Sequence, residues 1–120
     1  MDDKTALEEL KIKVKEFCEE RDWDQFHNPK DLAIGISTEA NELLDIFRFK
    51  SIEQMELMME DDRKRNYIEE ELGDVLFFLL RFAQRNRFDL STCLRNKMEK
   101  NNEKYPVEKI KGKNLKYTEL

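Results

Sequence analysis

The sequence predicts an all-α protein built as a four-helix-type bundle with one short extra helix, and three observations point there. Charged residues make up 41% of the 120 residues and hydrophobic ones 39%, with only three Gly and two Pro. That balance suits long amphipathic helices and not a turn-rich sheet. Apolar residues recur at helical spacing through most of the chain, and no repeat of fixed period interrupts them. Two long central segments flanked by helices then make a bundle the natural architecture. The length is that of one domain, read as residues 1–120 with 106–120 as a polar C-terminal tail. A core this small leaves apolar surface that self-association can bury.

The first helix is expected from about Thr5 to Glu20, with Leu7, Leu10, Val14, Phe17 and Cys18 on one stripe. The segment Arg21–Asp31 breaks it, since Pro29 and several Asp and Asn residues surround Trp23, Phe26 and His27. A second helix follows to about Phe49. Ser51 then caps a short Met-rich third helix, SIEQMELMM. The fourth, about Asp62 to Asn86, carries the apolar run VLFFLLRF. A fifth starts near Leu90–Ser91 and ends before Pro106.

Several classes of function fall away on composition. A net charge of −5 argues against nucleic acid as a non-specific partner. No apolar run approaches the ~20 residues that span a bilayer, and the acidic N-terminus is unlike a signal. No membrane partner is expected. Cys18 and Cys93 are too few and too distant for a disulfide framework or a zinc site, and read as reduced, part-buried thiols. The expected compartment is the cytoplasm.

The informative residues are acids that sit where apolar residues belong. On the second helix Leu32, Ile36, Leu43, Ile46 and Phe47 form a stripe; Glu39 falls inside it and Glu42 at its edge. On the fourth, Ile68, Leu72, Val75, Leu76 and Leu79 form a stripe, extended by Phe78 and Phe82. Glu71 points between those two Phe side chains, with Asp74 beside it. Glu39/Glu42 and Glu71/Asp74 are both i,i+3 pairs, so within each pair the Cβ atoms lie roughly 5–6 Å apart. Four acids facing one apolar interior repel each other and need a positive partner. Mg²⁺ suits them, because it takes hard oxygen ligands and bridges phosphates. The plainer alternative is two solvated acidic faces, and Glu69, Glu70 and Asp45 are read that way. A ferritin-like di-iron site is excluded, since it needs Glu-x-x-His pairs and the only histidine, His27, lies in a loop.

Two further groups have both a functional and a bland reading. Lys97, Asn101, Lys104 and Tyr105 recur at i, i+4, i+7 and i+8, one helical face that suits triphosphate oxygens or simply faces water. Trp23 offers a stacking surface for a base, or plugs the end of the bundle. His27 reads as a loop hydrogen-bonder and not a base.

At this point the residues resemble a known family. TEANELLDIFRFKS (Thr38 to Ser51), EELGDVLFFLLRFA (Glu70 to Ala83) and KMEKNNEKYP (Lys97 to Pro106), preceded by ERDWDQFHNPKDL (Glu20 to Leu32), are similar to MazG-type nucleoside-triphosphate pyrophosphohydrolases, and most of all to their dCTPase branch. The likeness runs from about Leu10 to Pro106. It implies an all-α bundle assembling as a dimer or a dimer of dimers. It implies Mg²⁺-dependent hydrolysis of a (deoxy)nucleoside triphosphate to the monophosphate and pyrophosphate, Mn²⁺ being able to substitute. It also implies Glu39, Glu42, Glu71 and Asp74 as metal-binding and catalytic residues. Lys97, Asn101, Lys104 and Tyr105 would contact phosphates or sugar, and Trp23 would help enclose the base. There are two departures. Val14 stands where the branch has a base-pocket histidine, and Phe49, in the base site, where it has a tryptophan. Both keep apolar bulk or stacking but remove polar contacts, which bears on the choice of base. The rival reading is a non-catalytic helical module binding nucleotides or a partner helix, supported by the Met-rich third helix.

Overall fold

In the computed structural model, which describes residues 1–120, the chain is helical throughout and has no strand. It divides into two units, Met1–Arg87 and Phe88–Leu120.

The first unit holds α1 (Leu7–Glu20), α2 (Pro29–Phe47), α3 (Ile52–Glu60) and α4 (Asp62–Asn86). α1, α2 and α3 all pack on α4, α2 most extensively. The core is formed by Cys18, Leu32, Met58, Ile68, Leu80 and Ala83. Gly35 of α2 faces the ring of Phe78 on α4, which lets the two long helices approach closely.

Helix starts follow side-chain chemistry. Asn28 caps α2 by accepting the Asp31 N–H at 2.8 Å, with Pro29 at the first helical position, where its missing N–H costs nothing. Pro29, read from the sequence as a breaker, therefore opens the helix. Ser51 and Gln54 form a reciprocal capping box on α3. Asp61 caps α4 through the Lys64 N–H at 3.0 Å. Each such cap contributes about 1 kcal/mol. α1 begins at Leu7, two residues later than expected, and its N-cap Ala6 is extended and supplies no side-chain acceptor. α2 stops at Phe47, since Phe49 takes a left-handed conformation (φ 65°).

The apolar stripe expected on α4 is only half right. Ile68 is buried and Val75 half-buried, but Leu72, Leu76 and Leu79 remain 52%, 40% and 40% exposed. Helical spacing identifies an apolar face, not what covers it. Cys93 is likewise exposed and not part-buried, while Cys18 is fully buried.

The second unit contains α5 (Leu90–Lys104), capped by Asp89 through the Thr92 N–H at 3.0 Å. A short α6 (Val107–Ile110) and a 3-10 turn at Tyr117–Glu119 follow, so the region expected to be a plain polar tail carries local structure. No helix is long and apolar enough to cross a membrane.

Candidate metal centre

α2 and α4 bring the two acidic pairs together. One carboxylate oxygen from each of Glu39, Glu42, Glu71 and Asp74 lies within 4.8 Å of all the others. On α2 the half-buried positions are Gly35, Ile36, Glu39, Leu43, Ile46 and Phe47, so Glu39 sits inside the apolar stripe, where its spacing places it. Glu71 is half-buried, whereas Glu42 and Asp74 stand at the exposed rim.

The electrostatics are those of a cluster short of positive charge. Oε2 of Glu39 and Oε2 of Glu71 are both buried without a hydrogen-bond partner. Burial, followed by the neighbouring Glu42 carboxyl and the charges of Asp74 and Glu71, pushes the Glu39 carboxyl up to about 7. Burial is also the first cause raising Glu71, with Glu42 second. Buried polar atoms without partners are uncommon in folded proteins and call for an explanation. A hard divalent cation fits this donor set, which is all carboxylate oxygen, converges from two rigid helices and has two orphaned acceptors.

An open cleft of about 570 Å³ runs beside the cluster, lined by Thr38, Asn41, Glu42, Asp45 and Glu71. Asp45, read from the sequence as a purely solvating acid, thus lines the cleft. Thr38, Asn41 and Asp45 were legible in retrospect, since with Glu42 they follow i, i+3, i+4 and i+7 along one side of α2.

The other expected site residues fall into three groups. Trp23, 36% exposed, packs edge-on against Phe17 with ring centroids 5.7 Å apart. From there the rings continue through Phe77 (5.7 Å) to Phe78 (5.4 Å), which lies one helical turn beyond Asp74. Phe49 is 88% exposed, with the Arg48 guanidinium 4.6 Å from its ring centroid. In the second unit, Lys97, Asn101 and Lys104 lie along α5 and Tyr105 at its C-cap. Tyr117 packs on this face, 6.1 Å from the Tyr105 ring centroid and 4.7 Å below Lys104 Nζ. Nothing in the sequence signals that contact. His27 is a hydrogen-bonder, as expected, accepting at Nδ1 from Arg81.

Comparison with known proteins places this arrangement. A model of the MazG-like family matches residues 34–120, a span that includes all four acids. The chain belongs to the MazG-like family. MazG-like relatives include dCTP pyrophosphatase 1 of Bos taurus, 38% identical over 115 residues, which cover 96% of this chain and 68% of that protein. The dCTP pyrophosphatase 1 of Homo sapiens is 37% identical over the same share of each chain. The crystal structure of a pyrophosphatase from Archaeoglobus fulgidus superposes with a TM-score of 0.77 at 39% identity, covering 82% of this chain and 91% of that one. The all-α MazG-like fold is therefore shared by this chain.

Proposed function

We propose that this MazG-like chain is a Mg²⁺-dependent nucleoside-triphosphate pyrophosphohydrolase. It takes dCTP or a related or modified deoxynucleoside triphosphate to the monophosphate and pyrophosphate. The observation that carries this reading is the quartet: four carboxylates from two helices within 4.8 Å, two with buried, unpartnered oxygens. The relatives' names supply the reaction class.

Glu39, Glu42, Glu71 and Asp74 would hold the metal. Bound there, a divalent cation neutralises phosphate charge and makes water a better nucleophile. Glu39 or Glu42 orients the attacking water and accepts its proton at a carboxylate oxygen. Thr38, Asn41 and Asp45 line the approach. Lys97 and Lys104 answer the negative charge of the phosphates, and Asn101 and Tyr105 bind phosphate or sugar oxygens. Trp23 and Phe49 offer their rings to the base.

Residues 1–120 are read as one MazG-like domain, supported by a family match that runs from residue 34 to residue 120. Exposed Leu72, Leu76 and Leu79 on α4, and exposed Phe49, support assembly as a homodimer or homotetramer. Two free cysteines and the nucleotide substrate suit the cytoplasm.

The test is a panel of canonical dNTPs and NTPs with Mg²⁺, scored by pyrophosphate release. The reading expects dCTP or another deoxynucleotide to rank first. A panel with no release, in protein that also fails to bind Mg²⁺, would favour a non-catalytic nucleotide-binding module instead.

A further inference from the structure

Arg81 is the largest fully buried side chain of the protein, and it carries a permanent charge. A guanidinium in a core is tolerated where its N–H groups find acceptors, and here all three nitrogens do. Nε donates to His27 Nδ1 at 2.9 Å, one terminal nitrogen to Gln84 Oε1 at 2.7 Å, and the other to Asp24 Oδ1. Arg85, one turn further along α4, adds a second cation 3.7 Å from Asp24 Oδ2 and donates to the Asp24 carbonyl at 3.3 Å.

Apart from the Gln84 bond, which stays within α4, these contacts converge on the segment that follows α1. Its other end is held independently. Asp22 adopts a left-handed conformation (φ 55°) and its N–H reaches the Glu19 carbonyl at 3.0 Å. The Trp23 N–H reaches the carbonyl of fully buried Cys18 at 3.0 Å, which completes a Schellman closure of α1. Trp23 lies between these two anchors. Its ring touches His27 itself, with centroids 6.0 Å apart. A Leu or Met at position 81 would fill a core position without the desolvation cost of a charge. What Arg81 adds is direction: two donors hold Asp24 and His27 in one placement, while the third, bonded to Gln84 on α4 itself, fixes the plane of the guanidinium.

We propose that Arg81 is the positioning residue for Trp23, locking Asp24 and His27 so that the indole presents one fixed face to the substrate base. The link to the base rests on the function proposed above; the lock on the indole does not.

Trp23 is the only tryptophan in the chain, so its fluorescence reports this segment alone. The experiment compares wild type with Arg81→Met, Arg81→Lys and Asp24→Asn in the full chain, by acrylamide quenching and by kcat and KM for dCTP with Mg²⁺. Arg81→Met and Asp24→Asn should raise the quenching constant about twofold. They should raise KM about fivefold to tenfold with kcat nearly unchanged, which is the signature of lost ground-state positioning. In a Trp23→Ala background, Arg81→Met should add little further rise in KM, because both changes then act through one residue. Arg81→Lys should fall between wild type and Arg81→Met. If Arg81→Met fails to fold by circular dichroism, Asp24→Asn and Arg81→Lys carry the test. Unchanged Trp23 quenching in folded variants overturns the proposal, as does a full additional KM penalty in the Trp23→Ala background. If wild type hydrolyses no triphosphate of the panel, the functional reading fails, and quenching still decides whether Arg81 holds the indole.

Discussion

Gly35 lies so close to Phe78 that a Cβ added to it would fall 2.5 Å from Cδ1 of the ring and 2.9 Å from Cγ. The contact joins the two helices that carry the acids: Glu39 is one turn beyond Gly35 on α2, and Asp74 one turn before Phe78 on α4. The separation of the carboxylate pairs is therefore set partly by a missing side chain.

Gly35→Ala should consequently separate the helices or displace the Phe78 ring. An overpacked contact of this kind costs about 1–3 kcal/mol, more than the helix-propensity gain of Ala. A lower urea midpoint together with weaker Mg²⁺ binding is the expected outcome. Gly35→Ala combined with Phe78→Leu, which removes the ring, should recover part of both.

The acid quartet should trade stability for activity. Glu71→Gln removes one member of a repelling cluster and leaves a neutral amide that can donate to its neighbours. The metal-free variant should melt at a higher temperature than wild type, while turnover falls roughly 100-fold or more through loss of a metal ligand. Glu42→Gln and Asp74→Asn should also abolish turnover with the helical circular dichroism signal intact. Wild-type activity in either variant would remove that residue from the mechanism.

The same cluster gives a pH dependence with a definite sign. Glu39, with an ordinary value of 4.5, is pushed up to about 7, and Glu71 is raised as well. A carboxyl whose folded pKa exceeds its unfolded one favours folding while protonated, so metal-free stability is lost as pH rises from about 4.5 to about 7. His27, held below its ordinary value first by burial and then by Arg81, acts oppositely, destabilising the fold as pH falls below 6.5. The rise in Tm that Mg²⁺ produces separates the two, because His27 titrates with or without metal. That increment should be small at pH 5 and grow through pH 8.

Exposed Leu72, Leu76 and Leu79 yield a prediction about assembly. Leu76→Glu places a charge in the middle of this apolar face. Light scattering should show wild type as a dimer or tetramer and the variant shifted towards smaller species. The same mass for both would place the interface elsewhere.

How much of this was legible in the sequence differs from residue to residue. Glu39 and Glu71 stood out because periodicity alone places them within apolar stripes, and the structure gives them the half-buried positions that periodicity assigns. Leu72, Leu76 and Leu79 misled for the same reason, since periodicity does not distinguish a core from a surface awaiting a partner. Arg81 was invisible: it is a single cation in an apolar run, and its acceptors His27 and Asp24 lie 54 and 57 residues away. Tyr117 is similar, since its packing on Lys104 and Tyr105 depends on the course of the chain after α6. Local pattern reveals faces, and long-range pairings appear only once the fold brings them together.

The products formed from dCTP in the presence of Mg²⁺ and of EDTA, with wild type and Glu71→Gln side by side, decide whether the four carboxylates form a metal-dependent hydrolytic site. Wild type with Mg²⁺ should yield dCMP and pyrophosphate, with no turnover in EDTA and a rate lower by roughly 100-fold or more in Glu71→Gln. Release in EDTA equal to that in Mg²⁺, or undiminished release by Glu71→Gln, would contradict a metal-dependent site built on these four carboxylates.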